Sequence, residues 1–127
     1  MKPKERTAIE RCPMPELDPS YRATKLREEV NTGFTKEMAL VEAQRCLDCP
    51  KPTCMEGCPV SINIPSFIKN IERGEFLAAA KVLKQTSALP AVCGRVCPQE
   101  KQCESQCMHI KMGKQPVAIG YLERFAA

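Results

Sequence analysis

The stretch Arg45–Val60, R-C-L-D-C-P-K-P-T-C-M-E-G-C-P-V, holds four of the nine cysteines of the chain. They are Cys46, Cys49, Cys54 and Cys58, separated by two, four and three residues. A thiol can serve as an ordinary core residue anywhere along a chain. Crowding four of them into one proline-broken loop therefore indicates ligands that converge on inorganic ions. This stretch predicts a metal-binding loop around which the rest of the domain is organised.

A second group of cysteines near the C-terminus indicates the kind of metal. Cys93, Cys97, Cys103 and Cys107 have spacings of three, five and three residues. Cys58 and Cys97 are each followed by proline, as in ferredoxin runs in which that cysteine ligates the other cluster. Structural zinc favours two short-spaced pairs, whereas Cys46 and Cys49 form the only such pair here. The pattern favours iron-sulfur clusters, with a zinc-binding interaction module and a metal-free cysteine-rich scaffold as alternatives.

Composition and charge place the chain among small proteins of reducing compartments. Its 127 residues suit one domain with a modest core, and the apolar share of 43% includes the cysteines. Residues 1–10 are charged and lack an apolar signal sequence, and the cysteine count is odd, so we expect reduced thiols in the cytoplasm. No stretch is long enough to span a membrane. The net charge of +4 is spread too evenly to indicate nucleic acid.

The order of prolines, glycines and apolar residues predicts an all-α domain at 34–127 behind an extended lead-in at 1–33. Four prolines prevent a long helix before Tyr21, and 24–30 can form a short helical turn. Apolar spacing and capping residues predict the remaining helices. They are expected from Thr35 to about Cys46, from Asn63 to Gly74, from Glu75 to Gln85 with Pro90 as terminator, on short turns around the second cysteine group, and from Pro116 to Ala127.

Three segments carry a resemblance to a known family: E-A-Q-R-C-L-D-C-P-K-P-T-C-M-E-G-C-P-V-S-I-N-I-P, L-P-A-V-C-G-R-V-C-P-Q-E-K-Q-C-E-S-Q-C and P-V-A-I-G-Y-L-E-R-F-A. From about Gly33 onward the chain resembles the N-terminal iron-sulfur domain of the NADPH-dependent glutamate synthase small subunit. The same domain type begins dihydropyrimidine dehydrogenase and related flavin-linked NADPH:ferredoxin oxidoreductases. The resemblance implies an α-helical ferredoxin fold that holds two 4Fe-4S clusters.

Spacing alone would divide the eight clustered cysteines into four and four, whereas the resemblance implies crossed ligation. One cluster would be held by Cys46, Cys49, Cys54 and Cys107. The other would be held by Cys58, Cys97, Cys103 and a non-cysteine ligand, Glu123, where dihydropyrimidine dehydrogenase has glutamine. A carboxylate oxygen can bind iron, and Gly120 and Ala126 keep that helical face small. The alternative for Glu123 is a solvated acid on an amphipathic helix.

Other thiol, imidazole and basic side chains accompany the eight candidate ligands. The family pattern treats Cys93 as packing, and Cys12 is an isolated thiol in the lead-in. His109, the only histidine, follows Cys107 closely, and we expect a partly exposed loop residue rather than a ligand. Five basic side chains either offset the charge of the clusters or are simply solvated; they are Arg45, Lys51, Arg95, Lys101 and Lys111.

No catalytic residue is evident in the chain, because it has no phosphate-binding glycine loop, no G-x-G-x-x-G motif and no nucleophile beside its histidine. The resemblance implies an electron-transfer module of a larger NADPH-dependent oxidoreductase. The donor would be an NADPH-reduced flavin on FAD- and NADPH-binding domains that normally follow this one. The acceptor would be a partner such as the glutamate synthase large subunit.

Overall fold

The computed structural model describes residues 1–127 and consists of helices joined by short loops. Its only extended pairing is an isolated bridge between Glu16 and Asn31, so the all-α prediction is confirmed. No helix is of the length and apolarity needed to cross a lipid bilayer. Two 3₁₀ turns lie at Gln99–Lys101 and Glu104–Gln106. The α-helices are α1 (Pro3–Ala8), α2 (Pro19–Arg22), α3 (Lys36–Gln44), α4 (Thr53–Glu56), α5 (Ile64–Glu72), α6 (Phe76–Lys84), α7 (Pro90–Val96), α8 (Met108–Lys111) and α9 (Ile119–Ala126).

Side-chain caps determine where the predicted central helices begin. The Thr35 hydroxyl accepts a hydrogen bond from the Met38 amide at the start of α3. The Asn63 side chain accepts one from the Ser66 amide at the start of α5. These bonds satisfy amides that have no partner within the helix, which is why such residues favour helix starts. The predictions for α3, α5 and α6 are confirmed to within about two residues.

Two local predictions, for 24–30 and for the start of the last helix, were wrong, and the prediction for Pro90 was incomplete. Residues 24–30 form turns rather than a helix, and the short helix lies earlier, where Asp18 caps α2. Pro90 begins α7 rather than merely ending α6, because the first helical turn needs no amide from proline. The last helix begins at Ile119 rather than Pro116, whose carbonyl oxygen accepts hydrogen bonds from Arg11 and Arg45.

The apolar core lies between α3, α5, α6 and α9. Ile64, Ile68 and Ile71 form the predicted stripe of α5 and are fully buried. Leu83 of α6 and Leu122 of α9 are also fully buried against this core. The same cluster of buried side chains includes Cys46 and Cys103, so thiols from both cysteine groups adjoin the core. The packed helices thereby hold the intervening cysteine loops in place.

Charged side chains fasten the N-terminal segment to the helical domain. Arg6 donates two hydrogen bonds to Glu72, at 3.1 and 2.9 Å, and another to the Gln44 carbonyl oxygen. Arg11 pairs with the nearly buried Glu104 at 3.0 Å. These contacts join residues far apart in sequence, so the lead-in lies across α3 and α5 rather than extending into solvent.

Candidate metal centre

Four thiols from both ends of the domain line one cavity: those of Cys46, Cys49, Cys54 and Cys107. Cys46 follows α3, and Cys49 lies in the loop beyond it. Cys54 lies on α4, and Cys107 lies between the second 3₁₀ turn and α8. The Thr53 hydroxyl donates a 2.5 Å hydrogen bond to the Gln106 carbonyl oxygen, and it thereby ties the neighbours of Cys54 and Cys107 together.

The surroundings of these thiols disfavour several negative charges without a compensating cation. Burial raises the pKa of the Cys46 thiol to about 11 and that of Cys54 to about 12. Burial also raises the pKa of Cys49, and the charges of neighbouring thiolates act in the same direction at all three positions. Metal binding replaces thiol protons with positive charge. This cavity therefore fits a cationic inorganic group held by thiolates.

The remaining cavity wall is largely apolar, with Ile64, Pro65 and Ile68 on one side and Val117 and Ile119 on another. Such a wall limits access of water to anything bound among the thiols. A dry environment is one of the means by which proteins control the reduction potential of an iron-sulfur cluster.

A second group of donors contains Cys58, Cys97, Cys103 and Glu123. Burial raises the pKa of Cys97 to about 11 and that of Cys103 to about 12. The charges of Cys58 and Glu123 raise both values further, so the four side chains lie within electrostatic reach of one another. The structure thus places Cys58 with the C-terminal cysteines and Cys107 with the N-terminal ones. This grouping is the one that the resemblance implied; the role of each residue as a ligand stays a prediction.

Two glycines permit the close backbone contacts that assemble the second group. A Cβ atom at Gly57 would lie 2.6 Å from the Gln102 carbonyl oxygen, so this glycine lets Cys58 approach Cys103. A Cβ atom at Gly94 would lie 2.6 Å from the amide nitrogen of Arg124. α7, which precedes Cys97, can therefore lie directly against α9, which carries Glu123.

Glu123 is buried, with 6% exposure, which excludes the alternative of a solvated acid. One carboxylate oxygen, Oε1, has no hydrogen-bond partner in the protein. Burial raises the pKa of this carboxyl group to about 7. A buried polar atom without a partner is costly, and such an atom beside two thiols fits the position of an oxygen ligand.

The structure corrects the prediction for His109, which is 1% exposed on α8 rather than partly exposed in a loop. Its Nε2 lies 2.9 Å from the Arg45 carbonyl oxygen, and its Nδ1 has no partner. Burial lowers the pKa of the ring. Cys93 lies beside Cys97, with its sulfur 4.0 Å from the Ser87 hydroxyl. Cys12 is separate from both groups of donors, and its amide donates a hydrogen bond to Glu42.

Arg45 is neither solvated nor a free positive charge near the thiols. It is 2% exposed and donates a 2.7 Å hydrogen bond to Glu42, which is fully buried. Arg95 is exposed and pairs with Glu29. The other three proposed charge-compensating residues are also exposed: Lys51, Lys101 and Lys111.

The sequence interpretation missed Lys69, whose ammonium group donates a 2.9 Å hydrogen bond to the Cys46 carbonyl oxygen. Its charge favours the Cys46 thiolate, although burial outweighs that effect. Lys69 and Cys46 are 23 residues apart, so no local sequence pattern predicts that they are in contact.

No set of three or more His, Cys, Asp or Glu side chains has the spacing required around a single metal ion. A cluster of several irons is larger than a single metal ion, so its ligands lie farther from one another than those of a single ion. The donor sets consist mostly of cysteines, which are the usual ligands of 4Fe-4S clusters.

Comparison with known proteins establishes the family. A family model described as dihydropyrimidine dehydrogenase domain II, 4Fe-4S cluster, matches residues 22–127. The chain therefore belongs to this family of 4Fe-4S domains.

Several curated proteins are similar over most of the chain. The glutamate synthase [NADPH] small chain of Escherichia coli is 39% identical over 114 residues, covering 86% of this chain and 24% of the relative. That of Halomonas elongata is 37% identical, covering 87% of this chain and 23% of the relative. The NAD-dependent dihydropyrimidine dehydrogenase subunit PreT of E. coli is 40% identical over 98 residues, covering 77% of this chain and 24% of the relative. The chain spans about a quarter of the length of these relatives.

Proposed function

We propose that residues 34–127 form an α-helical ferredoxin-type domain with two 4Fe-4S clusters, which relays electrons within a glutamate synthase-type oxidoreductase. The observation that carries the proposal is the interleaving of the donors. The N-terminal cysteine-rich stretch contributes three thiols to the first group and one to the second, whereas the C-terminal stretch contributes two thiols to the second group and one to the first. Cys46, Cys49, Cys54 and Cys107 would hold the first cluster. Cys58, Cys97, Cys103 and Glu123 would hold the second.

The two groups are close enough to act as a relay. Cys54 and Cys58 belong to different groups but are four residues apart. A fully extended chain of that length spans roughly 14 Å, so their Cα atoms lie nearer than that. Bound clusters supply one-electron chemistry. The chain's own residues would hold the clusters near each other and exclude water from the first cavity.

The family resemblance, together with the NADPH in the names of the glutamate synthase relatives, suggests the electron donor and acceptor. In the proposed assembly, NADPH reduces a flavin on FAD- and NADPH-binding domains outside these 127 residues, and electrons pass through the chain to a partner like the glutamate synthase large subunit. The similarity to PreT supports a second candidate, in which the chain is the corresponding part of a dihydropyrimidine dehydrogenase subunit. The chain is mixed with the reduced flavoprotein of a glutamate synthase or of a dihydropyrimidine dehydrogenase, and its reduction is monitored by visible absorption. The flavoprotein that reduces the chain distinguishes the glutamate synthase assembly from the dihydropyrimidine dehydrogenase assembly.

Metal analysis of the anaerobically purified chain tests the proposal. We expect about eight irons and eight acid-labile sulfides per chain, with the broad visible absorption of iron-sulfur proteins. A colourless chain with stoichiometric zinc would instead support a structural zinc module. A folded chain whose free energy of unfolding does not change when a chelator is added would support the metal-free scaffold.

Matched variants test the interleaving. Cys54→Ala and Cys58→Ala lie four residues apart in the same stretch, yet each should remove a different EPR signal and about half of the iron. Glu123→Ala should perturb only the signal that Cys58→Ala removes. If Cys54→Ala and Cys58→Ala abolish the same signal and leave the other intact, the interleaved assignment is wrong.

A further inference from the structure

His109 combines burial with a ring nitrogen that has no hydrogen-bond partner in the protein. Its ring lines the cavity that contains the four thiols of the first group. A carbonyl oxygen can only accept a hydrogen bond, so the 2.9 Å contact with the Arg45 carbonyl requires Nε2 to carry the proton. In the neutral ring, Nδ1 then has a free lone pair. It is buried without a hydrogen-bond partner.

This arrangement is typical of a metal-binding histidine. Such residues almost always donate the N–H of one ring nitrogen to a carbonyl or carboxylate, which sets the tautomer and orients the other nitrogen toward the metal. A buried histidine that served only the core would be expected to satisfy both nitrogens. The Arg45 carbonyl also immediately precedes Cys46, so the hydrogen bond links the ring to the start of the thiol loop.

We propose that His109 Nδ1 is a fifth donor for the cluster of the first cavity and that it can replace Cys49 on iron. The inference rests on the proposed function. In the exchange, a nitrogen–iron bond would form, the Cys49 sulfur–iron bond would break, and the released thiolate would take a proton from water, leaving hydroxide. No electron is gained or lost in this step.

Cys49 is the cysteine whose position permits this exchange. It lies in residues 47–51, which make no backbone–backbone hydrogen bond. By contrast, Cys54 lies on α4, and Cys46 is buried at the end of α3. The backbone of Cys107 is held by hydrogen bonds to Glu104 and Ile110. Replacing a thiolate with a neutral imidazole removes one negative charge from the cluster surroundings, and histidine ligation raises cluster potentials in Rieske centres. The exchange should therefore give a cluster with a more positive potential.

The test uses the full chain, purified anaerobically and reconstituted with iron and sulfide. Cys49→Ala, His109→Leu and the double variant are compared by iron content and by pulsed EPR of the reduced protein. Cys49→Ala should retain most of its iron and show a strongly coupled nitrogen that ¹⁵N-histidine labelling identifies. The double variant should lose that coupling and about half of its iron. As a control, Cys97→Ala should lose the same amount of iron whether or not His109 is present.

Equal iron loss in Cys49→Ala and the double variant, without strongly coupled nitrogen, would overturn the inference. His109→Gln checks the folding of His109→Leu, since glutamine can still donate to the Arg45 carbonyl but lacks an imidazole. Circular dichroism of both variants reports folding independently of the metal. If the wild-type chain holds two clusters but Cys49→Ala shows no nitrogen coupling, only this inference is refuted. If the wild-type chain holds no iron and sulfide, the proposed function is refuted.

Discussion

Removing the buried carboxylate of Glu42 should be among the most destabilising single changes in the chain. Glu42 accepts three hydrogen bonds: from Arg45 Nη1 at 2.7 Å, from the Ala118 amide at 2.9 Å and from the Cys12 amide at 2.8 Å. It therefore joins α3 to the residues before α9 and to the N-terminal segment. Both Glu42 and Arg45 are almost completely buried. In Glu42→Ala, the guanidinium would be left as a buried charge without its partner.

The expected cost follows from that uncompensated charge. Breaking a buried ion pair by removing one partner costs about 3–5 kcal/mol. Domains of this kind have a free energy of unfolding on the order of 5–15 kcal/mol, so the loss is a large share of the total. With a urea dependence of about 2 kcal/mol per molar, the unfolding midpoint should fall by roughly 1.5–2.5 M. A partly exposed pair provides the control: Glu16→Ala, which removes the partner of Arg22, should cost less than about 1 kcal/mol.

The assay is urea unfolding followed by far-UV circular dichroism under anaerobic conditions, with variants matched for iron content. Adding Arg45→Met to Glu42→Ala should recover part of the loss, since the unpaired charge is then absent. The loss of unfolding free energy in the double variant should be smaller than the sum of the losses in Glu42→Ala and Arg45→Met by about 1–3 kcal/mol. A midpoint shift in Glu42→Ala no larger than that in Glu16→Ala, or strict additivity in the double variant, would refute this account of the pair.

Three further changes test other contacts. Burial raises the pKa of Glu72, but hydrogen bonds from basic partners lower it overall. The stabilisation by the Glu72 carboxylate is therefore present above its ordinary pKa of 4.5 and is lost as pH falls through its folded-state pKa. Glu72→Gln should accordingly flatten the acid side of a curve of Tm against pH. Gly57→Ala should release iron from the second group, because the added methyl overlaps backbone, whereas Gly113→Ala has free space and should lower only the Tm. Lys69→Met should make the potential of one cluster more negative in a redox titration, because a positive charge near Cys46 is lost.

Local chemistry explains which parts of the fold were predictable from the sequence. Thr35 and Asn63 cap helices through bonds to amides three residues away, so the pattern and its cause lie in one window. The cysteine spacing likewise predicts metal ligands from neighbouring residues. Where Pro116 was misjudged, the decisive contact was the side chain of Arg45, 71 residues away in sequence. No local pattern reports such a partner.

The same distinction applies to the candidate site. The donor groups could be proposed only through the resemblance, since spacing left a four-and-four division open. His109 was misplaced because a histidine beside a cysteine looks like a loop residue until the Arg45 carbonyl, 64 residues away, is known to face it. Glu123 shows the converse, since family likeness favoured a ligand and the structure gives the independent observation of a buried oxygen without a partner.

The interleaving of the donors has a consequence for how so small a core can hold its loops. Because Cys107 lies with the first group and Cys58 with the second, neither cysteine-rich stretch can complete a group by itself. Thr53, the first residue of α4, and Gly57, which follows α4, reinforce this arrangement through Gln106 and Gln102. Metal binding energy at such sites is also folding energy. Each bound cluster would therefore hold the same two cysteine-rich loops together. The loss of either cluster would then destabilise the loops that carry the ligands of the other cluster.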